Sequence, residues 1–192
     1  AGLYVEEKFG AKMVYLDKVN PADRPGTTPD QLAEELVAQG AKMIIFNSDD
    51  MKDASTTFAK ANPDVFVIMA SGDQVWKDGK VYEPMANLTN IMGRMEIGKM
   101  IGGCAAALST ETGKIGYLGP LINDETRRLV ASAYLGAKHC WEQAGNDPAS
   151  LEFKVTWIGF WFHIPGFTTD PVDVSKEFYS TGFDVVISGI DN

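Results

Sequence analysis

Two cysteines and two histidines are all this chain offers for thiol or soft-metal chemistry. His139 and His163 lack the short spacing that metal ligands share, so no metal site is expected. Cys104 and Cys140 both fall on apolar faces of helical segments and read as buried free thiols rather than as a disulfide or a metal pair. Catalytic signatures are missing too. There is no Gly-x-Ser-x-Gly and no His-Glu-x-x-His, and Gly113 to Gly119 lacks the Gly-Lys-Ser/Thr ending of a phosphate loop. These absences leave no catalytic set and no cofactor motif, which points away from an enzyme. Basic residues are outnumbered, 17 Lys and Arg against 26 Asp and Glu, for a net charge of −9. That balance argues against a nucleic-acid partner. No apolar run reaches the ~20 residues of a bilayer span; the nearest, Met100 to Leu108, is short and rich in glycine and alanine. No start methionine, signal peptide or lipidation motif is visible, and the chain opens on what reads as the last turns of a helix, as a processed or partial sequence would.

What is present is ordinary for a soluble globular protein: 45% apolar and 22% charged residues over 192 positions, enough for one large domain or two small ones. The organising stretch is Thr168 to Asn192. Thr169 or Asp170 can cap a helix whose first turn accepts Pro171. Val174 and Phe178 supply its apolar stripe, and Gly182 ends it. The apolar run Val185-Val186-Ile187 follows, then Ser188-Gly189 and Asp191. Residues 27–50 repeat this plan. Thr28, Pro29 and Gln31 form a capping-box start, Leu32 and Leu36 the stripe, and Gly40 the stop, followed by a strand from Met43 to Phe46 and Asp49. Superposing Gly40 on Gly182 puts Asp49 on Asp191 without a gap.

Taken in order, helix 1–9, strand 12–19, helix 29–39 and strand 42–47 open the chain, with turn chemistry at 20–27. A short helix begins at Asn47 or Ser48 and stops before Pro63; VFVIM in 64–70 is a buried strand. Residues 71–86 are irregular, with one small hairpin around Asp78-Gly79. Strand 87–91, a close-packing helix 93–109, strand 114–119, helix 123–144, strand 151–160, helix 170–181 and strand 184–188 complete the order. The alternation predicts parallel sheets covered on both faces. The repeat divides the chain into lobes 1–112 and 113–192 and implies a strand and most of a helix before Ala1, leaving an empty sheet position beside strand 12–19.

Ligands of open parallel sheets bind beyond the carboxyl ends of the strands. Four segments end strands there. Asn47-Ser48-Asp49-Asp50-Met51 is a polar exit that could equally be acids capping a helix. Ser71-Gly72-Asp73-Gln74 reads as a solvated loop. Gly159 to Phe167, GFWFHIPGF, is too aromatic for core packing alone and assigns a ligand-facing role to Trp161 or Phe162, with His163 as a further donor. Asp191 matches Asp49 by the repeat.

The order of elements, the strand GKIGYLG (Gly113 to Gly119), the run NDETRRLVASAYLGAK (Asn123 to Lys138) and a strand ending in an aromatic pair together resemble the basic membrane protein family. These are solute-binding lipoproteins of ABC importers with the type I periplasmic-binding-protein fold. The resemblance covers essentially the whole chain as an interior segment of a longer protein. It implies an α/β fold of two doubly wound parallel-sheet lobes, truncated at both ends. It also implies a purine nucleoside or nucleobase bound between the lobes. By position, Trp161 or Phe162 corresponds to the family's ring-holding aromatic, and Asp49 or Asp50 and Asp191 to its acids. Where members continue into Asp-Pro, this chain reads Phe162-His163-Ile164-Pro165. The implied partners are a small-molecule ligand and the importer permease. The implied location is the periplasmic or extracellular membrane face, through a lipid anchor outside this segment. A ligand-sensing domain of a transcription regulator, which shares the fold, is the alternative.

Overall fold

The computed structural model describes residues 2–19 and 23–191; Ala1, the first part of the predicted 20–27 turn and Asn192 lie outside them. The chain forms two compact units, Ala1–Gly93 and Arg94–Asn192. The second begins before residue 113, because helix α4 (Met95–Ser109) packs on α5 (Asp124–Gln143) and on the last strand of the same unit.

In the first unit, α1 (Gly2–Phe9) stops at Gly10, whose φ of 67° is the left-handed geometry of a helix end. Residues 12–19, expected as a strand, join no sheet: Tyr15 is 85% exposed, and the Met13 amide bonds the Glu6 side chain. A strand exists only with a neighbour to pair, and β1 (Met43–Phe46) is itself the edge of a three-stranded parallel sheet, β1-β2-β3. The position expected beside strand 12–19 therefore does not arise. Strands β2 (Phe66–Ala70) and β3 (Leu88–Ile91) complete this sheet. Helices α2 (Pro29–Ala38) and α3 (Lys52–Ala61) pack on one face, where Ala33, Ile44, Phe46, Phe58, Val67 and Met69 form the core. The other face leaves Met43, Ile45, Phe66 and Ile91 exposed, so the expected covering of both faces is not seen here among the described residues. Around Asp78-Gly79 there are turns but no hairpin strands.

In the second unit, β4 (Lys114–Gly119) lies between β5 (Glu152–Trp157) and β6 (Val185–Ser188), all parallel. Alternation along β4 divides its side chains. Ile115 and Tyr117 face α4 and α5, while Gly116 and Leu118 face α6 (Pro171–Ser180). Both faces are covered, and Ile115, Tyr117 and Leu118 are buried accordingly. β5 ends at Trp157, short of 160, where its partner β4 runs into Pro120.

Helix α5 starts at a capping box in which the Thr126 amide bonds the Asn123 side chain and the Asn123 amide bonds the Thr126 hydroxyl. Its crossing with α4 is as close as the small residues require. A Cβ on Gly103 would land on the Ala133 carbonyl, and one on Gly136 would land on the Met100 carbonyl. Beside this crossing Cys104 and Cys140 form a disulfide, with Cα atoms 5.2 Å apart. The expected free thiols are thus corrected: two small-residue helix faces bring the cysteines within bridging distance.

The repeat survives in detail. Helix-stop bonds run from Ala41 N–H to Leu36 O (3.1 Å) and from Phe183 N–H to Phe178 O (3.0 Å). Gly40 and Gly182 have φ of 96° and 89°. Asp170 caps α6 through its side chain, and Thr28 with Gln31 forms the expected box on α2.

Candidate functional site

The carboxyl edge of the second sheet is closed by its own loops. β5 and β6 are separated by β4, yet the Asp191 amide donates to the Trp161 carbonyl at 2.7 Å. The loop after β5 must therefore cross the end of β4, and the Gly159 amide bonds the Pro120 carbonyl on the way. Two of the predicted residues, Trp161 and Asp191, are brought together by this crossing. The Trp161 indole N–H is buried and has no acceptor among the described residues. Such a group costs about 1–3 kcal/mol until something accepts from it. Phe162 packs edge-to-face on Phe160, with centroids 5.0 Å apart, and stays 45% exposed. The Asp191 side chain is exposed. His163 Nδ1 lies 3.1 Å from the Thr168 hydroxyl, which also accepts from the Ile164 amide; the imidazole thus braces the loop.

Lys99, on the second turn of α4, was not singled out by the sequence. Its ammonium donates to the Ser188 carbonyl, the last of β6, at 3.0 Å and sits 5.6 Å from the centroid of the Tyr117 ring. Burial lowers its pKa from the usual lysine value. Burial also pushes the Tyr117 phenol up to about 12. The Tyr117 hydroxyl lies against Gly189, where a Cβ would collide with it, so the β6 exit is pressed onto the sheet. A lysine amid apolar neighbours in α4 carries no motif, and its role emerges only from the α4–β6 packing.

The first unit has its own strand exits. Asp49 and Asp50 lie on a 3-10 turn, Asp49–Met51, leading into α3, and Ser48 makes no side-chain cap. The loop after β2 is not solvated as expected: Gly72, Asp73 and Gln74 are buried. Gln74 donates to the Ser55 hydroxyl at 2.9 Å and accepts from Asn90, which also donates to the Ser71 carbonyl and accepts from the Val75 amide. Lys52 pairs with Asp73 at 3.8 Å. This network ties the start of α3, the β2 exit and β3 together. The network was not singled out by the sequence; a polar Asn90 inside a strand and Ser55 on a helix face are the signals that could have found it. Asp49 and Asp50 precede Lys52 in the chain, and Asp191 and the aromatics belong to the other unit.

Among the described residues no group of three or more acidic, histidine or cysteine side chains could hold a metal, and no helix is long and apolar enough to cross a membrane.

The sequence profile of the Bmp family, described as ABC transporter substrate-binding protein, PnrA-like, matches residues 3–144. The chain belongs to the Bmp family. Relatives include TsgA13 of Haloferax volcanii, provisionally named an ABC transporter glucose-binding protein, 28% identical over 79% of this chain and 33% of that protein. The ABC transporter nucleoside-binding protein BmpA of Lactococcus lactis is 32% identical over 68% of this chain and 34% of that protein. The Bmp chain here thus spans about a third of the length of these curated relatives. Among solved structures, an ABC transporter solute-binding protein from Aeropyrum pernix K1 superposes with a TM-score of 0.65, at 15% identity, over 96% of this chain and 47% of that one. A transcriptional activator of the comK gene from Bacillus halodurans reaches 0.63 at 20% identity, over 96% and 56%. At these identities the likeness shows the fold, which is that of periplasmic binding proteins.

Proposed function

We propose that this protein is the extracytoplasmic solute receptor of an ABC importer, delivering a purine nucleoside or nucleobase to a membrane permease and anchored through lipid outside this segment. The carrying observation is the pairing of Trp161, with its buried unpartnered N–H, and Asp191 at one strand edge. In this reading the exposed Phe162 ring stacks on a base, a contact contributing roughly 1–3 kcal/mol. The Trp161 N–H donates to a ring or sugar acceptor, and the Asp191 carboxylate accepts from a hydroxyl or amino group. Asp49 and Asp50 are proposed as acceptors at the first unit's strand exit. The name of BmpA supports a nucleoside; that of TsgA13 supports a second reading, a hexose on the same aromatic and acidic groups.

The regulator alternative has a neighbour in the comK activator, which speaks to fold alone. The Cys104–Cys140 bridge favours export, since disulfides persist in oxidising compartments and are rare in the cytosol. Calorimetric titration of wild type, Trp161→Phe and Asp191→Asn with adenosine, guanosine, adenine and glucose tests the reading. Trp161→Phe keeps an aromatic ring but deletes the donor and is expected to weaken binding about 10-fold, roughly 1.4 kcal/mol. Unchanged affinity in both variants would remove Trp161 and Asp191 from the site.

A further inference from the structure

A half-buried ammonium keeps part of its hydration and normally takes the rest of its compensation from a carboxylate. Lys99 has none within ion-pair reach among the described residues; its compensation is the Ser188 carbonyl and the face of Tyr117. The nearby acid of its own helix, Glu96, reaches Arg128 instead. Its place in the early turns of α4 adds no help, because the N-terminal end of a helix carries partial positive charge. A lysine presents three donors, and one carbonyl uses one of them. The lysine holds the first residue of the exit Ser188 to Asp191, and Asp191 closes it against Trp161. A cation and an acid thus flank one short exit. A free anion there would meet the Asp191 carboxylate and a free cation would meet Lys99, whereas a hydroxyl accepts from one and donates to the other.

We infer that Lys99 contacts the ligand, donating to a hydroxyl oxygen of a sugar ring, whether the pentose of a nucleoside or a free hexose. This rests on the proposed binding site at the second unit's strand ends. Lys99 is then a specificity residue for the sugar, separate from the aromatic groups that take the base.

The test is titration of the full chain, wild type and Lys99→Gln, with adenosine, 2′-deoxyadenosine, 3′-deoxyadenosine, adenine and glucose, alongside thermal melts. Glutamine can still reach toward the Ser188 carbonyl but carries no charge, and Lys99→Met serves as the second variant should the first unfold. Loss of a charge-assisted bond predicts about 10- to 100-fold weaker binding of the sugar-bearing ligand. Adenine, and the one deoxy analogue lacking the contacted hydroxyl, should bind variant and wild type alike. A response to adenosine identifies the pentose as the source, and one to glucose alone the hexose. Equal weakening of every ligand, adenine included, would make Lys99 a support for the Ser188 carbonyl and overturn the inference. So would unchanged affinity throughout, while leaving the proposed receptor function standing. Wild type binding none of the probes would overturn both.

Discussion

Removing the Cys104–Cys140 bridge is expected to destabilise the second unit by about 4 kcal/mol. The bridge spans a sequence separation of 36. In the chain-entropy description, a closed loop of that size removes about 13 cal/mol/K from the unfolded ensemble, or ~4 kcal/mol at 25 °C. The effect acts on the unfolded chain, so the close crossing of α4 and α5 at Gly103 and Gly136 does not replace it. A Cys104→Ala/Cys140→Ala variant keeps good helix formers at both positions. Urea unfolding can be followed through Trp141, Trp157 and Trp161, all in the second unit. With an m-value near 2 kcal/mol/M, the midpoint of the variant should fall by about 2 M relative to the oxidised protein. Wild type treated with reductant should fall by a similar amount. An unchanged midpoint would refute the entropic reasoning, and two thiols reacting with a maleimide in unreduced, unfolded protein would refute the bridge itself.

Gly136→Ala should destabilise by about 1–3 kcal/mol, because the new methyl lands on the Met100 carbonyl and α4 must shift. Gly98→Ala, where nothing lies within 4 Å, should instead gain up to ~1 kcal/mol of helix propensity, and thermal melts that fail to separate the two would count against the crossing. At Asp184, burial pushes the carboxyl up, but hydrogen bonds from the Thr110 hydroxyl, the Glu111 and Thr112 amides and the Thr112 hydroxyl outweigh it and bring it from 3.8 down to about 2. A depressed carboxylate stabilises fully above its unfolded value and loses that contribution as pH falls through its folded value. The gap in melting temperature between wild type and Asp184→Asn should therefore be wide above pH 4 and narrow toward pH 2; a constant gap across that range would rule out this role.

The features legible in the sequence were local ones. Thr28 with Gln31, Asn123 and Asp170 mark helix starts, and Gly40 and Gly182 mark helix ends, because a cap or a left-handed residue acts within one turn of its own backbone. The repeated helix-strand plan followed, since both copies are written in the same short signals. Only tertiary structure decided the rest. Residues 12–19 have strand composition but no ladder to join, and strand formation is a property of pairs. The cysteines became a bridge because Gly103 and Gly136 let two distant helices touch. The polar loop 71–74 went inside because Ser55 and Asn90, far away along the chain, meet its hydrogen-bonding groups. The candidate site divides the same way. Trp161, Phe162 and Asp191 stood out by residue type and position, whereas the Trp161–Asp191 contact and the lysine beneath Ser188 depend on which strand lies between which others, and residue spacing along the chain does not encode that order.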